Sequence, residues 1–498
     1  MQRPLNNFSK NLASILTIVG ATSTMSQKEL SSIEITGVSQ TSSSIVAGDI
    51  FVALQGENFH GADFALDAVA KGAVAVLSDA VGASKITGVP VLISKDPRRS
   101  AGVLSAWFYA EPMRDLYSIG ITGTNGKTTV TTLLHQIMQA AGRDSGLIGT
   151  VETRIGSEAL LSKRTTPESS ELQALCAIMR ERHMRNIIME VSSHAISLER
   201  IRGSHFAVVG FTNLSQDHLD FHKSMEIYFK VKAELFTFEF ADLAVINIDD
   251  QYGARLADLT QLPVITLSRS NSKATWHYVS ITRDYVGASV AIRGSGGILI
   301  EGKTSLHGGF NYDNLLMAVA IAVESGVDPI DVATIIPKLT GAQGRLEAVR
   351  LGQEFTALVD YAHSPDAVAR VLETAHEISD GNVIAVLGCG GDRDTSKRSL
   401  MGMALRDGAD IAIFTSDNPR SEDPEVILKQ MIENIEISAP NQVVIDRSLA
   451  IKTAVNHAKT GDVVIILGKG HEKGQEIDGV IYAFDDRIEL ARAIEDKR

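Results

Sequence analysis

Cysteine is nearly absent from this chain: only Cys176 and Cys389 occur in 498 residues, far apart and without metal-ligand spacing. Each reads as a buried small hydrophobe, as suits a reducing cytoplasm, where the protein is expected to reside. Aromatic residues are few, at 5%, although the 44% hydrophobic share is that of an ordinary soluble protein. No long Lys/Arg run occurs, and 60 acidic against 47 basic residues give a net charge of -13. That balance argues against nucleic acid or an anionic membrane as the main partner, so an anionic ligand must be held by a local pocket. No apolar run is long enough to span a bilayer. The nearest, Leu12–Ala21 behind Arg3 and Lys10, resembles a short signal segment but has no convincing small-residue cleavage pattern. It reads as an early helix or strand, and no stable membrane insertion is expected. Internal repeats and low-complexity tracts are missing too.

What is present is alternation of apolar strands and helical patterns, over a length that accommodates about two to four domains. Residues 1–97 read as a small α/β unit. Strands fall in ITGVSQ and Asp49–Leu54 with a turn at Ala47-Gly48-Asp49, a helix in FALDAVAKGA, and strands in VAVLSD and VPVLIS. Its polar loops, Thr41–Ser44 and Gly56–Gly61, are ligand loops or plain turns. A helix over Arg98–Tyr109 then leads into a second, largely parallel-sheet domain.

That domain opens on LYSIGITGTNGKTTV, an apolar strand running into Gly123, Thr124, Asn125 and Gly126, then Lys127, Thr128, Thr129 and a helix. Glycines let backbone N–H groups approach phosphate oxygens, the helix start adds partial positive charge, and a lysine neutralises. Lys127 would reach the β/γ-phosphates and the Thr128 hydroxyl would hold Mg²⁺. Ile121 stands where a strict P-loop has glycine, and an ordinary Gly-rich turn is the alternative reading. The strand NIIMEVSSH drives Glu190 to its tip, where Mg²⁺ needs a second ligand, or where a helix needs an acidic cap. FTNLSQDHLDFH crowds Asp217, His218, Asp220 and His222 into one turn, a functional cluster or else a set of structural hydrogen-bonders. Lys230 and Lys232 follow on a helix, where solvated surface is the plain reading. Asn311 and Asn314 enter a further apolar helix, where capping alone explains one of them.

From about Glu347, four buried strands each run into a loop of Gly, Pro and charged residues: DYAHSPDA, GCGGDRD, DNPRSEDP and GKGHEKG. In a doubly wound sheet such loops gather at the strands' carboxyl ends. GCGGDR fails the dinucleotide fingerprint because Arg393 stands at the third glycine. Arg393 and Arg420, with Asp417, Asn418 and Glu472, suit a zwitterionic amino acid carrying more than one carboxylate, or else they cap loops.

GTNGKTT at 123–129, MEVSSH at 189–194, NLSQDHLDFH at 213–222, LHGGFN at 306–311, DYAHSPDA at 360–367, GCGGDRD at 388–394, DNPR at 417–420 and GKGHE at 468–472 together resemble the Mur ligases, in order along essentially the whole chain. The resemblance implies an α/β protein of three domains: a UDP-substrate domain (1–97), a central P-loop-type ATPase (98–346) and a C-terminal Rossmann-like amino-acid domain (347–498). It implies an ATP loop over 123–129, with further ATP contacts at Asn311, Arg345, Asp360 and His363. Contacts to UDP-MurNAc-L-Ala-D-Glu are implied at Thr41, Ser43, Asn58, Phe59, His60, Thr165, Thr166, Ser192 and Arg200. Many members carry Asp-Ser-Arg where this chain has Ser42-Ser43-Ser44. Glu190 and His218 become metal ligands, and Lys232 becomes a lysine carbamylated by CO₂. Acceptor contacts, to meso-diaminopimelate, fall on Arg393, Asp417, Asn418, Pro419, Arg420, Gly468 and Glu472. Members that add L-lysine usually lose the DNPR arginine, which stands intact here. The implied reaction is ATP-dependent amide formation through an acyl phosphate in peptidoglycan precursor synthesis, by a monomer that closes around its substrates. The alternatives are an L-lysine-adding ligase, a folylpolyglutamate-synthetase-like ligase, and a P-loop ATPase that only cycles conformations.

Overall fold

The computed structural model describes residues 2–6, 8–56, 58–284 and 287–497. Glu57 of the 56–61 loop and the side chain of Asp220 lie outside this description. The chain divides into two compact units: residues 1–278, 293–298 and 316–332 form the first, and 279–292, 299–315 and 333–498 the second.

In the first unit, the apolar stretch near the N-terminus is a helix, Leu12–Val19. Asn11 caps its start and left-handed Gly20 ends it, with Leu12 and Ile15 buried. Gly37–Ser39, Asp49–Val52, Ala75–Ser78 and Val91–Ile93 follow as a four-stranded parallel sheet in chain order. The turn at Ala47–Asp49 therefore does not close a hairpin; the chain crosses through the 3₁₀ turn Ser42–Ser44 to re-enter in parallel. Asp96 caps the next helix, Pro97–Phe108, whose proline sits in the first turn where no N–H is needed.

The larger sheet of this unit runs Ser145–Ile148, Asn186–Glu190, Tyr117–Thr122, Phe206–Phe211, Ala241–Asn247 and Val264–Ser268, all parallel. Its central strands are apolar on both faces, as layers of helices on either side require. Tyr117–Thr122 lies between Asn186–Glu190 and Phe206–Phe211, and the chain winds away from it on opposite sides. A crevice outside the strand ends follows from that reversal, and the Gly123 loop sits at this point.

The second unit repeats the plan. Thr356–Asp360, Val463–Leu467, Val383–Cys389 and Ile411–Ser416 are parallel neighbours in that order. Alternate residues feed two separate cores: Leu358, Ala385 and Leu387 pack with helices Pro365–Ile378, Ser396–Gly408 and Pro424–Met431. Val359, Ile384 and Val386 pack with helices Arg447–His457 and Asp486–Lys497. Both faces are covered, and the four loops read from the sequence emerge at the carboxyl ends. Among the described residues no helix is long and apolar enough to cross a membrane.

Candidate functional site

Gly123 ends the central strand with φ 145°, and a Cβ there would stand 1.9 Å from the Thr212 hydroxyl oxygen, so only glycine fits. Gly126, left-handed at φ 88°, starts the helix Lys127–Ala140 without a side-chain cap, an arrangement suited to an anion. The neighbouring strand's extension holds the loop open: Thr124 N donates to Asn213 O at 2.9 Å, Asn125 N to Asn213 Oδ1 at 3.0 Å, and Thr212 Oγ1 to Asn125 O at 2.6 Å. Lys127 Nζ arches back over this curl, donating to Gly123 O at 3.0 Å and Thr124 O at 2.8 Å. Thr129 is buried in the helix beneath.

Glu190, 1% exposed at its strand tip, is gripped rather than solvated. Its carboxylate accepts from Thr128 Oγ1 at 3.0 Å, Thr150 N at 2.7 Å and Thr150 Oγ1 at 3.1 Å. Thr150 Oγ1 lies 3.0 Å from Thr165 Oγ1, and Thr166 Oγ1 donates to Glu190 O at 2.8 Å while accepting from Ser192 N at 3.1 Å. Arg200 continues the network: its guanidinium is 2.9 Å from Glu168 and 3.4 Å from Thr166 O. Burial, helped by Arg164 and Arg98 nearby, holds the Arg200 pKa down. Thr128, Glu190, Thr165, Thr166, Ser192 and Arg200 thus form one connected patch.

Lys232 is 1% exposed. Its Nζ donates to Gly123 O at 2.8 Å and Thr122 Oγ1 at 3.4 Å and lies 4.9 Å from the Tyr228 ring centroid. Burial among neutral groups, with the Lys127 charge adding to it, pushes its pKa well below the usual lysine value. Lys230, two residues earlier, is exposed. Tyr228 stacks on His222 at 4.7 Å and shares a 3.2 Å hydrogen bond with Thr124 Oγ1, and burial raises its pKa to about 12. His218, in a left-handed backbone conformation, faces Asp217 at 3.4 Å and packs edge-on against His194 at 4.8 Å.

Among the described residues, no group of three His, Cys, Asp or Glu side chains could hold a metal ion unaided. A Mg²⁺ ion does not need one. It takes one or two carboxylates and completes its shell with water and substrate phosphates, and the hydrogen-bonded Thr128–Glu190 oxygen pair beside a phosphate loop fits that habit.

In the small N-terminal unit, Thr41 precedes the 3₁₀ turn and Ser43 lies within it, next to a pair formed by Arg3 and buried Asp49. Asn58 and Phe59 are exposed. The His60 ring is committed inward, with Nδ1 accepting from Ala62 N at 3.0 Å and Nε2 3.2 Å from Asp79.

In the second unit, Asp360 is buried and accepts from Leu346 N at 2.7 Å and Ala362 N at 2.8 Å; burial still raises its pKa. Arg345 lies 4.8 Å over the Tyr361 ring, and His363 packs edge-on against the same ring at 4.6 Å. Asn311 Nδ2 donates to His307 O at 2.9 Å, and Asn311 Oδ1 accepts from Asn314 Nδ2 at 3.2 Å. The acceptor-type residues do converge. Arg420, at φ 52°, donates to Gly391 O at 2.6 Å and lies 3.3 Å from Glu476, and Gly391 packs under Pro419. Asn418 Nδ2 donates to Glu472 at 2.9 Å, and Gly468 adjoins Asp417. Arg393 is exposed beside them.

Sequence reasoning missed several supports. Lys469 Nζ donates to Asn418 at 2.9 Å, and its flanking glycines were the available signal. Arg398, 2% exposed, pairs with Glu422 through two 2.8 Å contacts. Arg447 pairs with Asp486 at 2.8 and 2.7 Å, both fully buried, and also donates to Ser416 O and Leu467 O, so one guanidinium ties two strand ends together. Nothing local in the sequence marks that long-range pair.

An α/β sheet with a Gly-Lys-Thr loop at its reversal point and a buried carboxylate on the adjoining strand has the geometry of a phosphate-binding site. Known proteins narrow the class. Residues 34–106 match the Mur ligase family catalytic domain, 121–322 the Mur ligase middle domain, and 344–470 the Mur ligase glutamate ligase domain. The chain belongs to the Mur ligase family and is an ATP-dependent ligase. It is similar to the UDP-N-acetylmuramoyl-L-alanyl-D-glutamate–2,6-diaminopimelate ligase of Streptomyces coelicolor, at 46% identity over 93% of each chain. A solved structure of a ligase with that description aligns over 98% of this chain and 99% of its own, at 32% identity and TM-score 0.71. The MurF ligase of Thermotoga maritima in complex with ADP shares the fold at 16% identity and TM-score 0.60, covering 93% and 97%.

Proposed function

We propose that this protein joins meso-2,6-diaminopimelate to the D-Glu γ-carboxylate of UDP-MurNAc-L-Ala-D-Glu, converting ATP to ADP and phosphate, as a cytoplasmic and monomeric enzyme of peptidoglycan precursor synthesis. The observation that carries this reading is Arg420, intact in DNPR and held by Gly391 O and Glu476, two residues along the chain from Asn418, whose amide reaches Glu472. A second amino-acid head has a carboxylate for that guanidinium to clamp and an ammonium for the acidic pair; lysine has no such carboxylate. The names carried by relatives at 46% identity agree.

A carboxylate resists attack by an amine because it is anionic and lacks a leaving group. Phosphorylation by ATP removes both obstacles, and the amine then displaces phosphate from the acyl phosphate. Lys127 and the helix start draw the triphosphate toward the loop. Arg200, with Thr165, Thr166 and Ser192, orients the muramyl dipeptide; Thr41, Ser43, Asn58, Phe59 and His60 serve its uridine end. Thr128, Glu190, His218 and a carbamate on Lys232 would hold Mg²⁺, which would neutralise phosphate charge there. CO₂ adds only to a neutral amine, and burial lowers the Lys232 pKa in the direction that favours that form. Nucleotide contacts at Asn311, Arg345, Asp360 and His363, and domains at 1–97, 98–346 and 347–498, rest on the family resemblance.

Phosphate release with the UDP-dipeptide, comparing diaminopimelate, lysine and ornithine, tests the reading. Turnover dependent on diaminopimelate is expected. Phosphate released equally without acceptor, or a preference for lysine, would overturn it. Lys232→Ala should nearly abolish ligation with partial recovery in added short carboxylates, and unchanged turnover would refute its role. Glu190→Gln should lower kcat by about a hundredfold or more, as loss of one preorganised charged group does.

A further inference from the structure

Lys469 has no role in the chemistry above, yet its ammonium is fully buried where the acceptor loops meet. A buried charge persists only among acceptors that satisfy it. Gly468 at φ 109° and Gly470 at φ 54° flank it, both left-handed, and a Cβ on Gly470 would stand 2.7 Å from Tyr361 Cβ. This double turn aims the side chain inward instead of along the surface. There Nζ donates to Asn418 Oδ1 at 2.9 Å, Glu472 Oε2 at 3.3 Å and Asp417 Oδ1 at 3.4 Å. Asn418 Oδ1 also accepts from Glu476 N at 3.0 Å, and its Nδ2 donates to Glu472 Oε2 at 2.9 Å. Two donors on one amide oxygen fix which way that amide faces.

We infer that Lys469 is a positioning residue for acceptor recognition, holding Asp417, Asn418 and Glu472 in one arrangement and setting two carboxylates against a single cation. The surplus negative charge faces the ammonium of the incoming amino acid, while Arg420 and Arg393 face its carboxylate. Asp417 is 12% exposed and Glu472 35%, so both remain reachable from solvent while the lysine is not. Without Lys469 the carboxylates repel each other and the Asn418 amide loses a donor that orients it. The inference rests on the acceptor-site reading proposed above.

The test is steady-state kinetics on the full chain, wild type against Lys469→Met, which keeps the apolar stem, and Lys469→Gln, which keeps an N–H donor. The Michaelis constant for diaminopimelate should rise by about tenfold or more in Lys469→Met, as loss of charged hydrogen bonds predicts, and by less in Lys469→Gln. Those for ATP and the UDP-dipeptide should stay near wild type. A fall in kcat with an unchanged Michaelis constant for the acceptor would mark a merely structural residue and overturn the inference. So would failure of both variants to fold by circular dichroism. A wild-type enzyme that forms no product with diaminopimelate instead overturns the proposed function itself, a distinguishable result.

Discussion

Glu422 takes both terminal nitrogens of Arg398 at 2.8 Å, and this hydrogen bonding pulls its pKa down to about 2. A carboxylate whose folded pKa lies below its unfolded value stabilises the fold fully above the unfolded pKa, and loses that contribution as pH falls through the folded one. Glu422→Gln should therefore lower Tm at neutral pH. The gap to wild type should narrow below the ordinary value of 4.5 as pH approaches about 2. Thermal melts across that range check it; a constant gap would point to packing instead. Residues of this kind were only partly legible. Lys127 and Glu190 announced themselves because a glycine loop and a strand tip are local patterns. Lys232 did not, since a lysine on a helix is usually solvated, although its i, i+4 relation to buried Tyr228 was in the sequence. His60 stood in a polar loop, and only the fold reveals that Asp79 and Ala62 claim its ring.

The strand–loop–helix element at 117–140 works because another segment, 212–215, laces its turn from outside. Gly123→Ala would press a methyl group into Thr212 Oγ1 from a backbone conformation that alanine rarely adopts, a strain of about 1–3 kcal/mol. The variant should fold, yet bind ATP at least about tenfold more weakly, since the oxygen-facing N–H groups lose their alignment. Isothermal titration with ATP reads this directly, and wild-type affinity would show that the loop tolerates the displacement. Element type was largely readable: apolar runs gave strands, and runs with helical periodicity gave helices. Pairing was less so. The Ala47–Asp49 turn said only that two strands adjoin it, and their parallel pairing, with the second strand buried on both faces, came from the fold.

As a whole molecule, the chain holds separate cores in its two units, so unfolding should not be a single two-state event. Scanning calorimetry should resolve more than one transition. Millimolar diaminopimelate should shift only that of the second unit, where all its proposed contacts lie, by linkage between binding and folding. A single transition indifferent to the ligand would contradict this. Motif order made the architecture legible at this scale, whereas long-range ties such as Arg447 to Asp486 have no local signature. That tie carries a genetic consequence. A stop codon just ahead of Asp486 would spare every motif, yet strand a buried guanidinium under Ser416 and Leu467, at a cost of about 3–5 kcal/mol. Alleles clipped so late should behave as nulls, with the acceptor loops losing their anchorage although no codon within them has changed.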